Sequence, residues 1–383
     1  MEYETDKTLL KELPQYLLAK SCFELKEFKR AAHFIAGCQA HITRFLYYYC
    51  LYLEGERLKL DFQMQRNLKM NKSCSIVNKE IPYIHDKLRA LHLKKELDGF
   101  ELYLYGIVLK EKKCLLEALN IFVEACNKTP FFYAIWVELS SLASTFPEYY
   151  SNLSLPSHWM VDVFSAQYEL DCHREENSID IYEKLAKIFE KSSFLHTKIG
   201  LCKYNARDLA GAQKELLGAC EGTSGCMEGL DALSNIFHVQ GKKEQLAKLA
   251  HEVTEINMRR PESCCIVGNY YSVYDDHQKA ILYFKKALHL NSSCLSAWLF
   301  LGHEYLITNN VSKAIKAYHS VLEIDPNEFR AWYKLGHAYE TLRQFPLALY
   351  YYKKTAFLRP KDERLSDAVK QLSRNIIECE ETV

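Results

Sequence analysis

The chain has 383 residues, enough for two or three ordinary domains or for one elongated repeat array. Lys plus Arg and Asp plus Glu each number 49, a balance that argues against a broadly basic protein living on nucleic acid or anionic lipid. Only 14 glycines and 9 prolines beside 48% apolar residues favour long helices over an all-β fold.

The stretch Met1 to Lys7 has no signal-peptide character. Residues 12–98 read as N-terminal repeats. A helical hairpin spans Glu12 to Thr43, with Leu18, Ala19, Cys22, Ala31 and Ile35 at core positions. A further helix runs from about Phe45 to Leu58. Its apolar run, Phe45 to Leu53, is half a membrane span and fits a buried helix. Residues 57–95 hold ten Lys/Arg against Asp61, Glu80 and Asp86. An exposed basic insertion is therefore expected at 60–80, with the displaced partner helix at about 82–97. Residues 99–158 form middle repeats. Gly99 opens one carrying Leu102, Tyr105, Gly106, Leu109, Ala118, Phe122, Ala125 and Pro130. The next, from Tyr133 with Trp136 and Leu139, is only 26 residues long, its second half shortened between Pro147 and Pro156.

Residues 159–362 form a C-terminal array with a 34-residue spacing. Trp159 to Ser192 rests on Ala166, Ser178 and Tyr182, and Ser193 opens a repeat with Ile199, Gly200, Ala212, Leu216 and Ala219. The segment from Met227 is degenerate but in phase, with Leu230, Leu233, Ser234 and Phe237. From Pro261 come Val267, Gly268, Tyr271, Ala280, Phe284 and Ala287. The last two units align residue for residue: Trp298 with Trp332, Leu301 with Leu335, Gly302 with Gly336, Tyr305 with Tyr339, Ala314 with Ala348, Tyr318 with Tyr352, Pro326 with Pro360. This is the tetratricopeptide-repeat signature at its proper length. Gly302 and Ala314 are expected to mark the close crossing of the two helices of a hairpin, and Pro326 to stop the second helix. The repeat-core positions are thus Gly106, Ala118, Gly268, Ala280, Trp298, Gly302, Ala314, Trp332, Gly336 and Ala348. Leu365, Ala368, Val369, Leu372 and Ile376 make an amphipathic stripe, so 363–378 reads as a capping helix. The expected fold is all-α: a tetratricopeptide-repeat superhelix (α-solenoid) of stacked helix-turn-helix hairpins.

No phosphate-binding glycine loop, zinc-protease HExxH or GxSxG nucleophile elbow appears, and the repeats leave no room for a catalytic domain. Neither cofactor nor metal is expected. The 14 cysteines show no CxxC pair and read as reduced, buried, apolar thiols. The NxS/T triplets at Asn71, Asn127, Asn152, Asn291 and Asn310 read as chance matches. The concave groove, lined by the first helix of each hairpin, should present Asn235, Asn269, His303 and His337 at one repeat position, plus Arg330 and Tyr333. Such a ladder of amides and imidazoles suits an extended peptide, with solvated surface as the plain alternative. Against the co-chaperone carboxylate clamp, Asn269, Arg330 and Lys334 fit, but Cys265 and Phe300 stand where Lys and Asn are needed. That clamp is broken.

Several strings resemble one family. Leu18 to Phe34, Leu97 to Gly106, Glu262 to Tyr271, Gly302 to Tyr305, Arg330 to Tyr333 and Leu349 to Lys354 are similar, in order, to the eighth subunit of the anaphase-promoting complex, the Cdc-twenty-three type. The resemblance spans about 15–360. It implies a non-catalytic scaffold of a ubiquitin ligase acting on mitotic regulators. It also implies a homodimer through the N-terminal repeats, stacking on sister repeat subunits, and a groove that receives a basic coactivator tail. Nuclear and cytoplasmic residence would follow, without nucleic-acid or membrane partners. The alternative is a peptide-binding adaptor or co-chaperone outside that complex.

Overall fold

The computed structural model describes residues 7–69, 78–150, 152–222, 227–358 and 369–370. All regular elements among them are helices, and they divide into two compact units, Met1–Leu185 and Ala186–Val383.

In the first unit α1 (Lys7–Glu24) and α2 (Phe28–Phe34) form a hairpin closed by Ala19, Cys22, Ala31, Ala32, Ile35 and Cys50. Glu12 reaches from α1 to the start of α3 (His41–Lys69), where its carboxylate accepts from Gln39 N, Ala40 N and Thr43 Oγ1 at 2.8, 3.2 and 2.7 Å. A carboxylate there satisfies orphan amides and complements the helix dipole. Helix α3 corrects one expectation. Residues 60–69, assigned above to an exposed insertion, continue the helix. No Gly or Pro breaks the segment from Arg57 to Lys69, and Glu54–Arg57 and Glu56–Lys59 pair one turn apart. Positions 70–77 lie outside the described residues. The displaced partner helix is α4 (Ile81–Leu93). Helices α5 (Gly99–Glu111) and α6 (Leu115–Lys128) follow, then α7 (Tyr133–Thr145) with the four-residue α8 (Pro147–Tyr150), α9 (Met160–Asp171) and α10 (Glu175–Ile188). Fully buried Glu101 on α5 is gripped by Arg44 of α3 through two nitrogens, Nη2 at 3.0 Å from Oε2.

The second unit stacks five hairpins: α11 (Ser193–Asn205) with α12 (Leu209–Gly222), α13 (Leu230–Val239) with α14 (Lys243–Asn257), α15 (Pro261–Val273) with α16 (His277–Leu290), α17 (Leu295–Ile307) with α18 (Val311–Ile324), and α19 (Phe329–Thr341) with α20 (Phe345–Leu358). The expected capping helix falls outside the described residues except Val369 and Lys370, which are helical.

The period is written into the backbone as well as the side chains. His173, Arg207, Gly241, Asp275, Asn309 and Arg343, each 34 residues from the next, adopt positive φ of 56–67°. At each, the amide after it bonds back five residues into the helix it ends, as Asn310 N does to Tyr305 O at 2.7 Å. That is the left-handed helix stop, and only one of the six residues is glycine.

Packing within a hairpin corrects the expected crossing partner. A Cβ on Gly302 would lie 2.5 Å from the ring of Tyr318, not against Ala314. Gly106 meets Phe122, Gly268 meets Phe284 and Gly336 meets Tyr352 in the same way. The glycine makes room for a buried aromatic 16 residues later, while Ala118, Ala280, Ala314 and Ala348 are themselves fully buried. The tryptophans serve a second joint. Trp136, Trp298 and Trp332 each donate Nε1–H to the carbonyl six residues back, on Pro130, Ser292 and Pro326, at 2.8–2.9 Å. The polar edge of each ring is thereby satisfied, and each hairpin is pinned to the loop preceding it.

Candidate peptide groove

Four of the five first helices in the second unit, α11, α13, α15 and α19, carry a connected polar ladder. Asn269 on α15 donates Nδ2–H to Ser234 Oγ (2.9 Å) and Asn235 Oδ1 (2.7 Å) on α13. Asn235 in turn donates to Tyr204 OH on α11 (3.3 Å), and Arg330 Nη1 on α19 reaches the same hydroxyl at 3.4 Å. The Arg330 guanidinium also sits 5.6 Å over the Tyr204 ring, and Arg207 sits 5.4 Å over Phe329. Residues 126 apart in sequence thus meet across the groove.

This corrects the picture of an open, solvated ladder. Asn269 is fully buried and Asn235 is 5% exposed. The reason is volume. Ser234 stands where the other hairpins of this unit have glycine, and Ala250 where they have Leu216 or a large ring, so polar side chains fill the space on α13. Asn269 Oδ1 has no hydrogen-bond partner among the described residues. His303 is partly buried, while Tyr333 and His337 are exposed. Arg330 is held by a two-pronged ion pair with buried Glu328, Nε–Oε1 2.8 Å and Nη2–Oε2 2.9 Å. Burial works against its charge, but Glu328 and the Tyr204 hydroxyl outweigh it and raise its pKa.

A second network lies beside the ladder. Ser272 Oγ donates to Glu304 Oε1 at 2.7 Å, and His277 Nδ1 lies 2.8 Å from Glu304 Oε2. Because the one hydroxyl proton of Ser272 goes to Glu304, His238 Nε2, 2.9 Å from Ser272 Oγ, is the donor there. Glu304 is 1% exposed, and no sequence motif pointed to it. The signal was available: it is the sole charged side chain of α17, and a lone acid in an apolar helix needs a partner. Burial, with Lys334 and the neighbouring histidines, pushes His303 down to about 4. Burial also lowers Lys334. Asp231, also missed by the sequence, lies within electrostatic reach of Glu262 and Arg330, and burial raises its pKa. The groove therefore offers amides, neutral imidazoles and buried acids within a few helix turns. It can hydrogen-bond an extended backbone and meet a basic side chain, and Cys265, 1% exposed, leaves the carboxylate clamp broken.

The comparisons with known proteins point one way. The family described as anaphase promoting complex subunit 8 / Cdc23 matches residues 2–200, and a tetratricopeptide-repeat family matches 302–342. The chain is 38% identical to anaphase-promoting complex subunit 8 of Arabidopsis thaliana over 285 residues, covering 74% of this chain and 48% of that protein. It is 38% identical to the human cell division cycle protein 23 homolog over 246 residues, covering 64% of this chain and 41% of the relative. It thus spans about half the length of the curated relatives it matches. A chain of the crystallised APC/C hetero-tetramer Cut9–Hcn1 superposes with a TM-score of 0.66 at 18% identity, over 96% of this chain and 70% of that one, which speaks to the fold. With 199 of its 383 residues matched by the family, the chain belongs to the anaphase promoting complex subunit 8 / Cdc23 family.

Proposed function

We propose that the protein is a non-catalytic scaffold subunit of the anaphase-promoting complex, supporting ubiquitination of cell-cycle regulators by holding sister repeat subunits and a basic coactivator tail. Family membership carries this reading. The groove supports its finer part: Asn269 Oδ1 is an acceptor without a partner among the described residues, and a cationic tail side chain beside Glu262 and Asp231 would offset the burial that favours the neutral form of Asp231. Homodimerisation through the N-terminal repeats is supported by α1, where Leu10, Leu13, Leu17 and Leu18 are 39–60% exposed and three of them recur at helical spacing. Residence in nucleus and cytoplasm follows from the same role.

Affinity purification of the tagged full chain from dividing cells, with identification of what co-elutes, tests the scaffold role. Sister cyclosome subunits should be recovered; chaperones without them would favour the co-chaperone alternative. Two further measurements separate the parts. Leu17→Asp should shift a dimer to monomer in light scattering, and Asp231→Asn should weaken binding of a labelled basic tail peptide.

A further inference from the structure

A cavity of about 410 Å³ opens between α18, α19 and α20, lined by His319, Leu322, Glu323, Pro326, Trp332, Tyr350 and Tyr351. Its walls are rings set at angles to one another. Trp332 lies 5.7 Å from Tyr351 at 37°, and Tyr350 lies 5.3 Å from Tyr351 at 82°. His319 approaches Tyr351 edge-on at 6.4 Å. Two of the rings are fixed from behind. Trp332 is anchored by its bond to Pro326 O (2.8 Å), and Tyr351 is stacked on Tyr339 at 5.2 Å and 7°. Glu323 at the rim is exposed and has no ion-pair partner among the described residues.

Repeat packing does not require this set. One period earlier the same positions hold Lys285 for His319, His289 for Glu323, Ser292 for Pro326, Lys316 for Tyr350 and Ala317 for Tyr351; only Leu322 and Trp332 repeat, as Leu288 and Trp298. At that hairpin boundary basic side chains replace His319, Glu323 and Tyr350, and alanine replaces Tyr351. The aromatic lining and the carboxylate thus occur together at this boundary and not at the one before it, and together they fit one kind of group. Ring faces are negative at their centres and attract a cation laid over them, most strongly where water is excluded. A free carboxylate at the rim supplies the counter-charge.

We propose that this cavity receives the guanidinium of an arginine carried on an extended segment of a partner protein. A guanidinium is planar, stacks on indole and phenol rings, and can fork onto Glu323, whereas an ammonium is a compact, strongly hydrated point charge.

The test is a titration of the full chain, with its tryptophans labelled at the indole nitrogen, by the blocked peptide Gly-Ser-Arg-Ser-Gly. The Trp332 indole resonance, assigned with Trp332→Phe, should shift saturably. Glu323→Gln and Tyr350→Ala, both at exposed positions, should each raise Kd about 3- to 10-fold while the melting curve holds. The citrulline peptide, which keeps the shape but not the charge, should give no saturable shift. The proposal falls if citrulline binds as well as arginine. It also falls if Asp231→Asn in the groove abolishes the shift while Glu323→Gln and Tyr350→Ala bind as wild type. Tighter binding of a trimethyl-lysine peptide than of the arginine peptide would overturn the guanidinium assignment.

Discussion

The joint between Gly302 and Tyr318 allows a sharp test of the packing argument, because two effects of known size oppose one another there. Replacing Gly302 by Ala should stabilise the helix by about 1 kcal/mol through propensity alone. Against this, the new Cβ would sit 2.5, 2.7 and 2.9 Å from three ring carbons of Tyr318. Ordinary carbon contacts lie at about 3.5–4.0 Å, so the ring would have to retreat by roughly 1 Å. Tyr318 is 0% exposed and close-packed, and such overpacking costs about 1–3 kcal/mol. Overpacking wins. The net loss should be about 1 kcal/mol, a fall in Tm of roughly 2–4 °C for a unit of this size.

Gly218 supplies the control. It too lies inside a helix, α12, but a Cβ there meets nothing within 4 Å. Gly218→Ala should raise stability by about 0.5–1 kcal/mol. Thermal unfolding followed by far-UV circular dichroism should therefore move in opposite directions for the two substitutions. If both variants melt higher, the Gly302–Tyr318 contact is not a packing constraint. A double-mutant cycle sharpens the point: Gly302→Ser with Tyr318→Ala imitates the Ser234/Ala250 pair that the chain itself uses. Its cost should fall short of the sum of the single costs by at least about 1 kcal/mol. Strict additivity would refute the reasoning.

Asn269→Ala removes a fully buried amide that bonds Ser234 and Asn235, so it should lower stability by about 1–3 kcal/mol in urea unfolding; an unchanged midpoint would return Asn269 to the solvated surface. Arg44→Met leaves Glu101 buried without its cation and should cost about 3–5 kcal/mol, visible as a lost or lowered transition of the first unit. His303, held near 4 against an ordinary 6.5 by burial and by Lys334 and the neighbouring histidines, binds its proton in the unfolded chain first. Its contribution is present above pH 6.5 and is lost as pH falls toward 4, so stability rises with pH across that window. The wild type should show this slope and His303→Gln should lack it; equal slopes would remove His303 from the groove interior.

The hairpins from Leu295 to Pro360 were legible because tryptophan, glycine, a ring and proline recur at fixed spacing, and each has a physical reason to be there. Other parts were hidden for equally physical reasons. The left-handed helix stops are occupied by His173, Arg207, Asp275, Asn309 and Arg343; Asp and Asn tolerate that conformation but arginine gives no such signal, so the backbone period could not be read from glycines. Helix α3 ran past its expected end because charged residues spaced three apart look like loop composition yet support a helix. At the groove, register placed Asn235 and Asn269 on the right helices, while their burial depended on neighbours 31–35 residues away in sequence.

The degeneracy of the hairpin from Met227 takes on a meaning once those neighbours are known. Helix α13 departs from the repeat rule at the packing pair, Ser234 with Ala250 in place of glycine with a ring. It is also the helix that contributes Asp231, Ser234, Asn235 and His238 to the polar interior of the groove. A glycine at 234 could not accept from Asn269, and a full-size ring at 250 would compete for the space the serine hydroxyl and its partners occupy. Local rules of a fold are broken where another requirement overrides them. The degenerate hairpin from Met227 is the one whose departures from glycine and ring let Ser234 and Asn235 take their place in the ladder.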